Sequence, residues 1–230
     1  MTKNNNVCYN SQTAIVNLPH SRYIDKVLRS DSFEELWWRF KDADYPSKEI
    51  SESYAVFSNM KKVCIINNFN WLHIGDGGYT RTAAVFAFFS KTLNISIDPM
   101  INVNKFFDWS TTYDVKNIMI EQCKFENLTE ENLLRFINET SVHRNDVKGN
   151  FQNKPYNIAL VHAHVKLDEV DKQFPNWKFL YTNPCCMPQT QIFTKKHMRE
   201  NNIIEIVNKL DLGISSHQRN VVIYKKLKPE

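Results

Sequence analysis

Glycine is scarce in this chain, five among 230 residues, so wherever it gathers the backbone has a reason to need it. Long apolar runs are absent: no stretch of 18 such residues occurs, and Met1–Asn6 is polar rather than basic and then apolar. The reading is of neither a membrane-spanning helix nor a secretory signal, hence of a cytoplasmic protein with no membrane partner. Charge of one sign is lacking too. Twenty-nine Lys and Arg against 25 Asp and Glu leave a net +4, mild for a dedicated nucleic-acid binder although it permits a local basic face. The densest basic stretches, Lys195-Lys196-His197-x-Arg199 and Lys225-Lys226-Leu227-Lys228, read as solvated lysines rather than a phosphate track. Cysteine is odd in number, five, and with no secretory signal these are expected to be reduced thiols; the adjacent Cys185-Cys186 is too constrained for an ordinary structural disulfide.

What is present is apolar mass. Hydrophobic residues make up 42% and aromatics 13%, enough for one well-buried core in a chain too short for two full domains. Residues 1–60 read as an N-terminal extension, helical and partly frayed. Within it Arg22–Leu28 and Phe33–Phe40 are short helices, the second opened by Asp31 or Ser32, with Phe33, Leu36, Trp37 and Phe40 on one apolar stripe. Residues 61–230 read as an α/β, Rossmann-like domain: a mostly parallel sheet with helices on both faces and a closing antiparallel strand pair. The expected order is strand Trp71–Ile74, helix Thr80–Lys91, strands Ile95–Ile97 and Asn117–Gln122, and helix Glu130–Asn138 capped by Thr129. An exposed insertion, Val142–Tyr156, precedes strand Ile158–Val161, helix Leu167–Lys172 and strand Phe179–Thr182. A helix over Thr194–Leu210 comes next, then antiparallel strands Ile214–Ser216 and Val221–Tyr224 about a turn at His217–Asn220.

Three of the five glycines fall in Gly75-Asp76-Gly77-Gly78, between an expected strand and an expected helix. Glycine there allows unusual torsions or close approach of a ligand, and the helix after it, apolar almost all round, would aim its N-terminus at that ligand. Asp98 stands 23 positions after Gly75, at the end of the next strand, where a carboxylate can accept both hydroxyls of a ribose. Strand, glycine loop, buried helix, strand and acid in that order read as a nucleotide-type cofactor site; the bland alternative is a tight turn in which Asp98 merely caps Pro99 and the residues after it. A dinucleotide loop would need a third glycine near Arg81, where this chain has Tyr79-Thr80-Arg81, and the Gly-Lys-Ser/Thr ending of an ATP-binding loop is missing.

On these motifs the chain resembles the class I S-adenosylmethionine-dependent methyltransferases over roughly Trp71 to Tyr224. That likeness implies S-adenosylmethionine as cofactor, Gly75 and Gly77 toward its methionine end and Asp98 on its ribose, with Gly78 a further cofactor-binding candidate in the same loop. The family commonly has an acid two places before the first loop glycine; here that place is His73, and Asp76 is the substitute at hand for the methionine ammonium. Asn127, after the third strand, falls where such enzymes contact the adenine edge, although on the residues alone it reads first as polar loop filler.

Reacting groups gather at the carboxyl ends of strands in open α/β sheets, which directs attention to Val161-His162-Ala163-His164 and Asn183-Pro184-Cys185-Cys186. Together they resemble the paired segments of a methyltransferase-like branch with RNA-modifying members. His162 and His164, alternating to one face of a strand, fit a general base or a hydrogen-bonded pair at a strand end. With Cys185 or Cys186 they have zinc-type donors, but nothing fixes a geometry and no metal site is assigned. The Asn-Pro-Cys-Cys run keeps three readings: a partial resemblance to the Asn-Pro-Pro-aromatic motif of amino methyltransferases, with Cys185 for the second proline and Cys186 for the aromatic, which implies Asn183 as holder of a target nitrogen; a cysteine nucleophile on a pyrimidine, as in carbon-5 methyltransferases; or buried thiols at a tight turn. The functional expectation is methyl transfer to an acceptor, RNA or another nucleic acid favoured. The alternative is a catalytically silent methyltransferase-like binding subunit.

Overall fold

The computed structural model describes residues 21–143, 154–161, 163–184 and 190–227, which form one seven-stranded sheet packed between helices. Three helices come first: α1 (Ser21–Leu28), α2 (Phe33–Phe40) and α3 (Pro46–Val63). The sheet and its crossovers then run β1 (Asn70–Ile74), α4 (Arg81–Phe89), β2 (Asn94–Ile97), α5 (Val103–Thr112), β3 (Ile118–Glu121) and α6 (Glu130–His143). They continue with β4 (Tyr156–Val161), α7 (Leu167–Gln173), β5 (Phe179–Asn183), α8 (Lys195–Glu200), β6 (Ile203–Leu210) and β7 (Asn220–Lys226). Strand order is β3-β2-β1-β4-β5-β7-β6, with every pair parallel except those made by β7.

The parallel strands are buried on both faces, so they read as nearly continuous apolar runs, and side chains sort by the two-residue period of a strand. Trp71, Ala159 and Tyr181 face one core, shared with α1 to α5; Leu72, Ile158 and Leu180 face the other, beneath α6, α7 and α8. The α/β reading therefore holds, with helices on both faces and an antiparallel closing pair.

The closing pair is β6 with β7, not the expected Ile214–Ser216 with Val221–Tyr224, and the expected helix over Thr194–Leu210 ends at Glu200. Asn202 adopts φ 54°, a left-handed turn that a helix cannot continue through, and Ile203-Ile204-Glu205-Ile206-Val207, β-branched at all but Glu205, then extends. Two helices were not anticipated. One is α3, whose buried Ser51, Glu52 and Ser53 break an apolar stripe, and the other is α5, capped by the Asn102 side chain, which accepts from Lys105 N at 3.0 Å. The Thr129 cap is present, accepting from Asn132 N at 3.1 Å. Most of the expected insertion Val142–Tyr156 lies outside the described residues, though α6 runs on to His143 and Tyr156 opens β4.

Candidate functional site

Strands β1, β2 and β4 end level, Ile74 pairing with both Ile97 and Leu160, and between β1 and β4 the chain reverses the direction in which it adds strands. Such a switch point leaves a crevice above the strand ends. The glycine loop sits there. Gly75 and Gly77 have φ of 73° and 70°, torsions that oppose a Cβ. At Gly75 a Cβ would also lie 2.8 Å from Ala163 Cα, so loop and post-β4 segment are in backbone contact; a Cβ at Gly77 would meet nothing within 4 Å among the described residues. Glycine scarcity had pointed to these torsions.

Two carboxylates tie the loop down. Asp98 accepts from Gly77 N at 3.0 Å and from Met100 N at 2.7 Å, joining the end of β2 to the loop after β1. Asp76 turns the other way: one oxygen accepts from Thr82 N at 2.7 Å, the other from Ala83 N and Ser96 Oγ, each at 3.0 Å. The expectation that the N-terminus of α4 faces a ligand is therefore corrected. Its first-turn amides are taken by Asp76, an anion supplied by the chain at the positive end of the helix.

Arg39, on α2, completes the clamp, and nothing in the sequence singled it out. It is 2% exposed, with Nε donating to Tyr79 O at 2.7 Å and Nη2 to Thr80 Oγ1 at 3.0 Å, while the guanidinium lies 4.6 Å from the Trp109 ring. Burial lowers its pKa to about 10 against the pull of Asp76. Thr80 takes φ 51°, which the Arg39 fork holds in place.

A cleft of about 260 Å³ opens over the loop, with Gly75, Asp76, Gly77 and Val161 as its floor and Lys48, Glu49, Glu52 and Ser53 of α3 as one wall. Arg81 reaches Glu49 across it, Nη1 to Oε2 at 3.1 Å, and Lys48 Nζ stands 3.6 Å from both Glu49 and Glu52. The wall went unread in the sequence because α3 itself did; its only signal is a Lys-Glu-x-x-Glu run on a helix.

The remaining expected residues scatter. His73 is 1% exposed, inside the core rather than on the cleft, with Nε2 3.1 Å from Asn94 Oδ1 and its ring edge-on to Phe86. Burial lowers its pKa, against a raising influence from Asp76 and Asn94, which favours the neutral ring. Gly78 packs under Met100, where a Cβ would meet the carbonyl oxygen at 2.9 Å, and Asn127 is exposed on a short 3-10 turn, Phe125–Asn127. His164 is exposed in the loop beyond β4 rather than on a strand face, which corrects the expected alternation. Asn183, at the end of β5, is 2% exposed; its Nδ2 donates to Gln218 O and Asn220 O at 3.3 and 2.7 Å, and its Oδ1 has no hydrogen-bond partner among the described residues. His162, Cys185 and Cys186 lie outside the described residues. Among those described, no group of three or more His, Cys, Asp or Glu is placed to hold a metal ion, and no helix is long and apolar enough to cross a membrane.

No known family profile and no curated protein sequence matches the chain. Solved structures do. The chain is similar to magnesium protoporphyrin IX methyltransferase (ChlM) from Synechocystis PCC 6803 with bound SAH, at a TM-score of 0.51 and 8% identity over 89% of this chain and 98% of that one. The same enzyme with bound SAM gives 0.51 and 8% over 89% and 95%. At such identity the likeness is one of fold: a Rossmann-like, mostly parallel sheet closed by an antiparallel pair.

Proposed function

We propose that this chain binds S-adenosylmethionine across the carboxyl ends of β1, β2 and β4 and passes its methyl group to a nucleophilic acceptor. The observation that carries the proposal is the direct tie of the positive-φ glycine loop to Asp98, at the switch point of a β3-β2-β1-β4-β5-β7-β6 sheet. The residues suit the cofactor. A Cβ position at Gly77 is open, and Asp98, half-buried, takes one backbone amide on each oxygen, so each oxygen keeps acceptor capacity for a ribose hydroxyl while the loop stays tied. The fold neighbours that carry SAH or SAM support the same cofactor.

Bound cofactor supplies an electrophilic methyl, so the protein's own part is to orient and to exclude water. Arg39 and Asp76 fix the loop; the Asn183 amide, locked through Nδ2, presents Oδ1 as a buried acceptor suited to an N–H on the substrate. For the acceptor, support comes from sequence alone: the net charge and the Asn183–Cys186 run favour RNA or another nucleic acid.

Calorimetric titration tests the cofactor. SAM and SAH should bind and NAD should not, and Asp98→Ala should weaken SAH at least tenfold, as expected for losing charge-assisted hydrogen bonds. If neither SAM nor SAH binds the parent protein, the proposal fails. SAH formed from SAM with an RNA pool and not with a small-molecule extract supports the nucleic-acid acceptor; the reverse replaces it, and no SAH with either pool indicates a silent binding subunit.

A further inference from the structure

A methionine-type end carries an α-ammonium and a carboxylate, and each must find a partner when it leaves water. The family the sequence resembles places an acid two positions before the first loop glycine, and this chain has His73 there, a ring packed in the core. Asp76, the nearest substitute, is engaged: its oxygens take three donors, two of them first-turn amides of α4 that turning it away would strip. The acid facing the right place comes from outside the sheet. Glu52 on α3 lines the cleft above Gly75, Gly77 and Val161 with its side chain 1% exposed.

We infer that Glu52 receives the α-ammonium and Lys48 the carboxylate of a ligand's amino-acid end, an assignment that rests on the S-adenosylmethionine reading above. Glu52 and Lys48 lie one helical turn apart, i and i+4, with Nζ and Oε2 separated by 3.6 Å. That is an ion pair held without a close hydrogen bond, and its cation sits on a flexible, one-third exposed stem. A zwitterion entering the cleft trades the two 3.6 Å pairs that Lys48 makes with Glu49 and Glu52 for pairs of its own: its ammonium replaces Lys48 beside Glu52, and the released Lys48 turns to its carboxylate, while Glu49 keeps Arg81. Arg81 cannot readily take that second role, since Nη1 is on Glu49 and Nε donates to Arg39 O at 3.1 Å. The helix before the sheet thereby supplies what β1 lacks.

The test pairs residue changes with ligand changes in the full-length protein. Dissociation constants are measured by calorimetry for SAH, for SAH lacking its α-amino group, for SAH lacking its carboxylate, and for methylthioadenosine, which lacks the whole amino-acid end. Glu52→Gln should weaken SAH at least tenfold, leave methylthioadenosine within twofold, and leave the deaminated analogue unchanged. Lys48→Met, at a partly exposed position, should weaken SAH but not the decarboxylated analogue. The assignment is overturned if Glu52→Gln binds SAH like the parent, or loses methylthioadenosine in proportion, which is the sign of a structural role. Should Glu52→Gln not fold, the parent still decides: equal affinity for SAH and its deaminated analogue overturns the inference. A parent that binds methylthioadenosine and SAH not at all removes the function reading itself, a different failure.

Discussion

Asp211 is a buried carboxylate that does not line the cleft, and it joins segments nearly 190 residues apart. One oxygen accepts from Arg22 at 2.5 Å and Gly213 N at 2.9 Å, the other from Tyr23 Oη and Asn59 Nδ2, each at 2.6 Å. Burial alone raises its pKa, but the hydrogen bonds from Asn59, Tyr23 and Gly213, with the Arg22 charge, outweigh burial and hold it below the usual carboxylate range. A depressed folded-state pKa gives stability that is fully present above the unfolded value, about 3.9, and lost as pH falls through the folded one. Asp211→Ala should therefore cost about 3 kcal/mol at neutral pH, by leaving Tyr23 and Asn59 without their acceptor. Urea melts should show the gap between variant and parent closing below about pH 4. A gap independent of pH would show that the charge is not what stabilises the knot. Arg39 acts on the loop in a comparable way, and Arg39→Met should cost about 2 kcal/mol by urea titration, with Arg39→Lys recovering little because an ammonium lacks the two-pronged reach to Tyr79 O and Thr80 Oγ1. Neither residue was legible in the sequence. A lone Asp in a loop and a lone Arg on an aromatic helix become significant only through partners distant along the chain.

At the scale of elements, the glycine loop was the most legible feature and β6 the least. Scarce glycine between an apolar strand and an apolar helix points to a backbone that needs positive φ or close approach, and Gly75 and Gly77 supply the first while Gly78, under Met100 O, shows the second. Their side-chain space differs, which separates the costs. Gly77→Ala meets only the torsional penalty, about 1 kcal/mol, whereas Gly75→Ala adds a clash with the Ala163 backbone and should cost about 3 kcal/mol or more. Thermal melts of the two variants check the order; equal losses would mean the Gly75–Ala163 contact yields without strain. The segment 203–210 failed as a helix reading because charged and polar residues on an edge strand, Glu205, Asn208 and Lys209, blur its alternation, and a bulge between Glu205 and Val207 shifts the period midway. Helix α3 was hidden for a related reason. Its core-facing side includes Ser51, which accepts from Ser215 N at 2.9 Å, and the cleft acid Glu52, so apolar periodicity is lost where the helix meets the site.

For the molecule as a whole, the question is how the helices before the sheet relate to it energetically. Tyr23 and Val27 of α1, Leu36 and Phe40 of α2, and Ile50, Val56 and Met60 of α3 bury against the same core as Trp71, Phe86, Ala159 and Ile223. The contact is interdigitated rather than layered: Phe57 meets Phe86 edge-on with ring centroids 5.3 Å apart, and Tyr54 meets Phe89 at 5.1 Å. Peeling α3 from the sheet would expose both sides of that core at once and break the Asp211 knot through Asn59, so opening of this region has little free energy to distinguish it from global unfolding. Hydrogen exchange on the full-length protein should then give the amides within α3 the same opening free energy as those of β1 and β4, and the same loss of protection when Asp211→Ala lowers global stability. Exchange of α3 at a few kcal/mol below the sheet would instead make it a separate cooperative unit, one able to lift from the strand ends and uncover the cleft that its Lys48–Ser53 face closes. Exchange at one subsaturating SAH concentration tests the ligand role of the helix, since ligand slows every globally opening amide in proportion to its affinity and Glu52→Gln should therefore gain less protection than the parent. An equal gain in the two proteins would mean that Glu52 does not hold the ligand's amino-acid end.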